Sequence, residues 1–124
     1  MMQYKNLFSP LSVGRTMLKN RLVMSPMGTQ FCNADGTVSE TMRSYYQKRA
    51  EGGVGLIILE YGSVDQPNGM GGVVQFDLSK DTDIPGLFAL AHSVKPFGTK
   101  IIAQLHHAGS RSFPSPGAMI FVPK

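Results

Sequence analysis

The sequence predicts an α/β fold in which parallel strands alternate with helices. Two apolar runs, at residues 54–60 and 100–105, fail to alternate polar with apolar, as strands covered on both faces do. Two other stretches, at 39–51 and 84–95, repeat apolar residues three and four apart, the period of a helix. A short strand-like run at 21–25 comes first. The order is therefore strand, helix, strand, helix, strand, and right-handed crossovers make such strands parallel neighbours in one sheet.

Each element has its own local reason. The entry segment, residues 1–20, scatters Leu7, Phe8, Leu11, Val13, Met17 and Leu18 among the turn formers Pro10, Gly14 and Asn20, which suits a small hairpin. Pro26 halts the first strand. Asp35-Gly36 is a turn signal, and Thr37 and Ser39 are both candidate caps for the first helix. Met42, Tyr45, Tyr46, Arg49 and Ala50 share one face of that helix, so at least one tyrosine belongs to the core. Gly52-Gly53 closes it.

Residues 61–80 are rich in glycine, with Pro67 and Asn68, and read as a long loop that either carries function or moves. Asp83 is the expected cap of the second helix, with Pro85 in its first turn. Leu87, Leu90, Ala91 and Val94 form its core stripe, and Pro96 and Gly98 end it.

Two architectures accept this order: an open doubly wound sheet and a (β/α)₈ barrel. The absence of a GxGxxG turn argues mildly against the dinucleotide-binding sheet. A barrel needs eight strands and about 250 residues, whereas this chain has 124 residues and three strands in view. Residues 113–124, with Pro114, Pro116 and Pro123, end on no finished element. The expectation is one partial domain over residues 1–124.

Composition excludes several classes. Apolar residues make up 42% of the chain and charged residues 16%, too apolar for disorder. The net charge of +4 is scattered along the chain rather than clustered, which argues against a nucleic-acid partner. Cys32 is the only cysteine, so no internal disulfide or cysteine-held metal is expected. No apolar run reaches the roughly 20 residues that span a bilayer, and no signal-like run opens the chain. A cytoplasmic protein without membrane contact is expected.

In a barrel, chemistry sits at the C-terminal ends of the strands. Residues 25–30, 60–64 and 104–109 fall there. Gln104 offers an acceptor and two donors on a short reach, which suits a strand-end residue closing a backbone gap or a match to a flat heterocycle with carbonyls beside N–H groups. His106 and His107 point to opposite sides of an extended chain; one can face the mouth while the other packs between sheet and helices. Thr29 can donate to a cofactor carbonyl or cap locally. Glu60 can orient a loop, bind a cation or act as a base. Cys32 reads as a buried thiol and His92 as a surface residue.

Taken together, LFSP at 7–10, LKNRLVMSPM at 18–27, YYQKRAEGGVGLII at 45–58 and QLHHAG at 104–109 resemble the start of the Old Yellow Enzyme family of NADH:flavin oxidoreductases. The resemblance covers nearly the whole chain. It implies the N-terminal part of a TIM barrel, about three of eight strands, with FMN across the C-terminal mouth. It also implies that Ser25, Pro26, Met27 and Gly28 contact the flavin through backbone and close packing. Tyr61 would lie against the flavin by its main chain, Gln104 would bond its pyrimidine edge, and Gln30 would line the substrate side.

The implied reaction is hydride transfer from NAD(P)H by way of flavin N5 to an activated alkene of the enoate, enone or dienoyl type. The partner would be a small unsaturated carbonyl or acyl compound. Within the family the PMGTQ segment is similar to the 2-enoate and 2,4-dienoyl-CoA reductase branch, whose larger members add a 4Fe-4S cluster and FAD further along. Other readings are amine dehydrogenase-like demethylation, NADH oxidase activity, or a noncatalytic truncated remnant. No catalytic residue is assigned within these residues, and the expected fragment would be inactive alone and retain FMN weakly or not at all. Two departures stand out: Gly28 occupies a position where many members carry Cys or Thr, and Ser110 precedes Arg111 where Arg is common.

Overall fold

The computed structural model describes residues 4–113. The proline-rich end at 114–124 and the first three residues of the entry segment lie outside them. The chain opens with an antiparallel hairpin, β1 (Leu11–Val13) and β2 (Thr16–Leu18), turned at Gly14 with φ 56°. Three strands then form a parallel sheet in sequence order: β3 (Val23–Met24), β4 (Leu56–Ser63) and β5 (Lys100–His106). Helix α1 (Glu40–Glu51) connects the first pair, and α2 (Ile84–Val94) the second.

Ser39, rather than Thr37, caps α1: its hydroxyl accepts the Met42 N–H at 3.0 Å. Thr37 is instead drawn to Asp35, whose carboxylate takes both its N–H and its hydroxyl. At the far end Gly53 adopts φ 95°, a geometry glycine reaches without penalty. Met42, Tyr46 and Ala50 turn inward and meet Ile57 and Leu59 of β4 and Leu90 and Val94 of α2. The helices thus cover one sheet face. On the other face, alternation puts Ile58 and its register partner Ile102 side by side, and Ile102 is half exposed.

The Lys19-Asn20-Arg21 run has a structural use. Asn20, buried, donates to the Gly53 carbonyl at 2.8 Å and accepts the Leu22 N–H at 3.1 Å. It so ties the hairpin's exit to the α1–β4 turn. Gly55 must stay bare, since a Cβ there would lie 2.5 Å from the Asn20 Oδ1.

Two expectations need correction. Asp83 holds the residue position before α2 but makes no capping hydrogen bond, because a 3-10 turn over Asp81–Asp83 already has helical backbone there. Its carboxyl is buried, with Oδ2 unpartnered among the described residues. The stretch 61–80 is not simply a loop. β4 continues through Ser63, and residues 75–77 return beside it: Ser63 N–H donates to the Phe76 carbonyl and Leu78 N–H to the Ser63 carbonyl, both at 2.8 Å. Phe76 is fully buried in the core. The alternation of Val74, Phe76 and Leu78 is the signal that marks this short extended piece.

Candidate functional site

The decisive irregularity is in β4. Register with β5 is regular from Leu56 to Leu59, then skips Glu60, so that Tyr61 stands opposite Gln104 and Ser63 opposite His106. Strict alternation would aim Glu60 at the same face as Ile58. The bulge instead turns Glu60 back toward α1 and re-aims Tyr61 onto the face of Gln104 and His106, as bulges beside working sites do.

Glu60 is buried, and its carboxylate has three donors: Thr29 N–H at 2.9 Å, the Thr29 hydroxyl at 2.6 Å and the Tyr46 hydroxyl at 3.1 Å. Of the roles open to it from sequence, it orients a loop. It fastens the chain leaving β3 to the end of β4. Thr29 is therefore committed to Glu60, and its hydroxyl also accepts the Phe31 N–H at 3.2 Å. Tyr46 is a core residue, its phenol raised in pKa by burial and by the adjoining carboxylate.

That fastening brings Gly28 against Tyr61. A Cβ on Gly28 would fall 2.4 Å from Tyr61 Cε1 and 3.0 Å from its hydroxyl oxygen. The tyrosine ring fills the volume that a side chain at position 28 would take. Beside it, Tyr61, Gly71, Gln104 and His106 line an open cleft of about 320 Å³ at the C-terminal ends of β4 and β5. This lies at the lower end of the range for small-molecule sites. Tyr61 meets His106 edge to face, with centroids 5.0 Å apart.

The remaining candidates fall as follows. Ser25, Pro26 and Met27 form the segment between β3 and Gly28, with Met27 exposed. Gln30 is exposed at φ 58°, a left-handed conformation uncommon for glutamine. Cys32 is buried, as expected, and its thiol is pushed up to about 11 by burial and then by the Glu60 charge, which disfavours the reactive thiolate. His107 does not pack between sheet and helices. It is exposed, accepts the Gly109 N–H at Nδ1 and lies 3.5 Å from Asp65, because the 64–70 turn folds over the end of β5. His92 lies on the surface, stacked on Phe88. Among the described residues, no group of three His, Cys, Asp or Glu could hold a metal, and no helix is long and apolar enough to cross a membrane.

One residue escaped the sequence reading. Gln75 is buried beneath the cleft, and its amide contacts Gly71, Tyr61 and His106. A glutamine between two valines and a phenylalanine in a polar-rich stretch carries no signal by itself.

Residues 6–116 match the model of the NADH:flavin oxidoreductase / NADH oxidase family. The chain belongs to this family. It is 46% identical over 114 residues to an NADH oxidase of Thermoanaerobacter brockii, covering 92% of this chain and 18% of that protein. Among solved structures, a 2-naphthoyl-CoA reductase in complex with 2-naphthoyl-CoA superposes with a TM-score of 0.84 at 31% identity, over 89% of this chain and 17% of that one. The old yellow enzyme from Trypanosoma cruzi gives a TM-score of 0.78 at 35% identity, over 88% and 29%. The chain thus spans less than a third of each of these relatives. Its three parallel strands, two helices and hairpin are the N-terminal part of the family's TIM barrel.

Proposed function

We propose that this chain supplies one side of the flavin site of an FMN-dependent oxidoreductase acting on alkenes conjugated to a carbonyl. The observation that carries the reading is the cleft at the strand ends that Tyr61 and Gln104 line, with Gly28 packed against the Tyr61 ring. It suits a flat ligand. Gly28 adds no side chain, Tyr61 offers an aromatic surface, and Gln104 can match carbonyls and N–H groups on one edge. Ser25, Pro26 and Met27, on the segment leading to Gly28, would approach the ring by their backbone. Gln30 would face the substrate side, a role favoured by its exposed, strained backbone.

When bound, FMN supplies the hydride relay between NAD(P)H and the acceptor. The chain's own work is to bind and orient. Gln104 fixes the ring's rotation, Tyr61 limits its approach to β3, and Glu60 with Thr29 keeps the Gly28 segment from drifting. The side-chain handle that other members carry at position 28 is absent, and Thr29 cannot replace it because Glu60 holds its hydroxyl. Tyr61, filling that volume, is the group that would stand nearest. An iron–sulfur cluster and FAD are not part of this proposal, since nothing in these residues supports them.

A second reading is NADH oxidase activity, favoured by the 46% identity to the Thermoanaerobacter protein. NADPH and NADH consumption by an FMN-loaded barrel that contains this chain, with cyclohex-2-enone under nitrogen and with dioxygen alone, separates the two. For the site itself, FMN fluorescence is titrated with the chain and with Gln104→Leu. Saturable, weak quenching that loses about tenfold in affinity in the variant is expected, the size of one lost hydrogen bond. Equal curves for the two proteins would contradict the assignment.

A further inference from the structure

Gln75 sits beneath the cleft with its amide orientation fixed by two backbone groups that have no choice of role. The Gly71 N–H can only donate, and it points at Oε1 from 2.5 Å. The Tyr61 carbonyl can only accept, and it faces Nε2 at 3.4 Å. Turning the amide over would set donor against donor and acceptor against acceptor. Gln75 is 3% exposed, too buried for water to repair that mismatch.

With the amide so fixed, its Nε2 also faces His106 Nδ1 at 3.1 Å. An amide nitrogen only donates, so Nδ1 must be the bare, accepting nitrogen of a neutral imidazole. The ring proton then resides on Nε2. Rotating the imidazole by a half turn would offer the amide a C–H in place of an acceptor, so ring orientation is held as well. Two neighbours help: Tyr61 packs edge-on to the ring, and a Cβ on Gly71 would lie 2.9 Å from His106 Cε1. Gly71 leaves that flank of the imidazole uncovered. The His106 ring makes no other hydrogen bond among the described residues, and it lines the cleft together with Tyr61 and Gln104.

We propose that Gln75 is a positioning residue that locks His106 in the Nε2–H tautomer, so that His106 presents a hydrogen-bond donor in the mouth to a carbonyl oxygen of the bound ligand. The choice of ligand rests on the flavin-oxidoreductase reading; the tautomer does not. A neutral imidazole N–H stabilises developing negative charge on an oxygen without bringing a full charge into the cleft.

Long-range ¹H–¹⁵N spectra of the ¹⁵N-histidine-labelled chain read the tautomer directly, because bare and protonated ring nitrogens resonate far apart. The expected result is a bare Nδ1 and a protonated Nε2 for His106 at neutral pH. In Gln75→Glu the carboxylate still accepts the Gly71 N–H but can no longer donate to the ring, so the proton moves to Nδ1 and the two signals exchange places. In Gln75→Leu the lock is gone and the signals average. A protonated Nδ1 in the wild type, an unfolded-like mixture of tautomers, or a Gln75→Glu spectrum identical to the wild type would each overturn the proposal.

The ligand arm adds FMN and then cyclohex-2-enone. The His106 Nε2 signal should shift with one or the other. No shift with either, in a sample whose Gln104 side-chain signal responds to FMN, overturns the donor role. If Gln104 itself ignores FMN, the flavin reading fails, and the tautomer result decides what remains.

Discussion

The hydroxyl of Tyr46 donates to the Glu60 carboxylate at 3.1 Å and accepts that residue's own backbone N–H at 3.0 Å. One phenol on α1 thus satisfies both the backbone donor and part of the side chain of the residue that the bulge leaves out of register. Through Glu60 the same contact reaches Thr29 and the segment that carries Gly28.

Removing that hydroxyl tests whether the bulge depends on it. Tyr46→Phe keeps the buried ring and leaves a buried N–H without a partner, which costs about 1–3 kcal/mol. The urea midpoint should fall accordingly. Thr29→Ser should stay near wild type, because it keeps both donors to Glu60.

Gly28 and Tyr61 should behave as one unit. Gly28→Ala places a methyl 2.4 Å from the Tyr61 ring and must displace it. Tyr61→Ala opens the space, so the double variant should recover what Gly28→Ala alone loses. A coupling of about 1–3 kcal/mol in a double-mutant cycle is expected for residues in such contact. Additive effects would mean that the ring moves aside freely.

Cys32 should react slowly. Burial, then the Glu60 charge, takes its thiol from an ordinary 9.0 to about 11. At pH 8 its thiolate is about 100-fold scarcer than in the unfolded chain, and alkylation by iodoacetamide should slow at least that much. The sign for stability follows. The folded state holds this proton more tightly, so the contribution is complete below pH 9 and is lost as pH rises toward 11.

Asp83 offers a lever of the same sign at lower pH. Burial and then the Asp77 charge hold its carboxyl above the ordinary 3.8, while Oδ2 lacks a partner. Folding favours its protonated form, so its contribution is full below the unfolded value and lost as pH rises through the folded one. Asp83→Asn should therefore raise the urea midpoint at pH 7 and lose that advantage in acid.

Much of this was legible in the residues. The apolar runs around Ile57 and Ile101 and the stripe Leu90–Val94 announced parallel strands and a covering helix, because burial on both faces leaves no polar alternation. The bulge at Glu60 was not legible, since an extra residue in a strand looks in sequence like one more strand residue. Its consequence, Tyr61 turned to face the cleft side by side with Gln104, was hidden with it. Gln75 was missed because its role depends on three partners that are distant in the chain or locally unremarkable. Asp83 looked like a cap because its residue type and position were right; the preceding turn's helical backbone removed the geometry a cap requires.

The proposed approach of Gly28, Tyr61 and Gln104 to one flavin ring is tested most directly by mapping FMN onto the chain in ¹H–¹⁵N spectra. Perturbations should concentrate at the Gly28 and Tyr61 amides and the Gln104 side chain, and fade toward α1 and α2. Perturbations confined to the helical layer, or spread evenly over the surface, would contradict it.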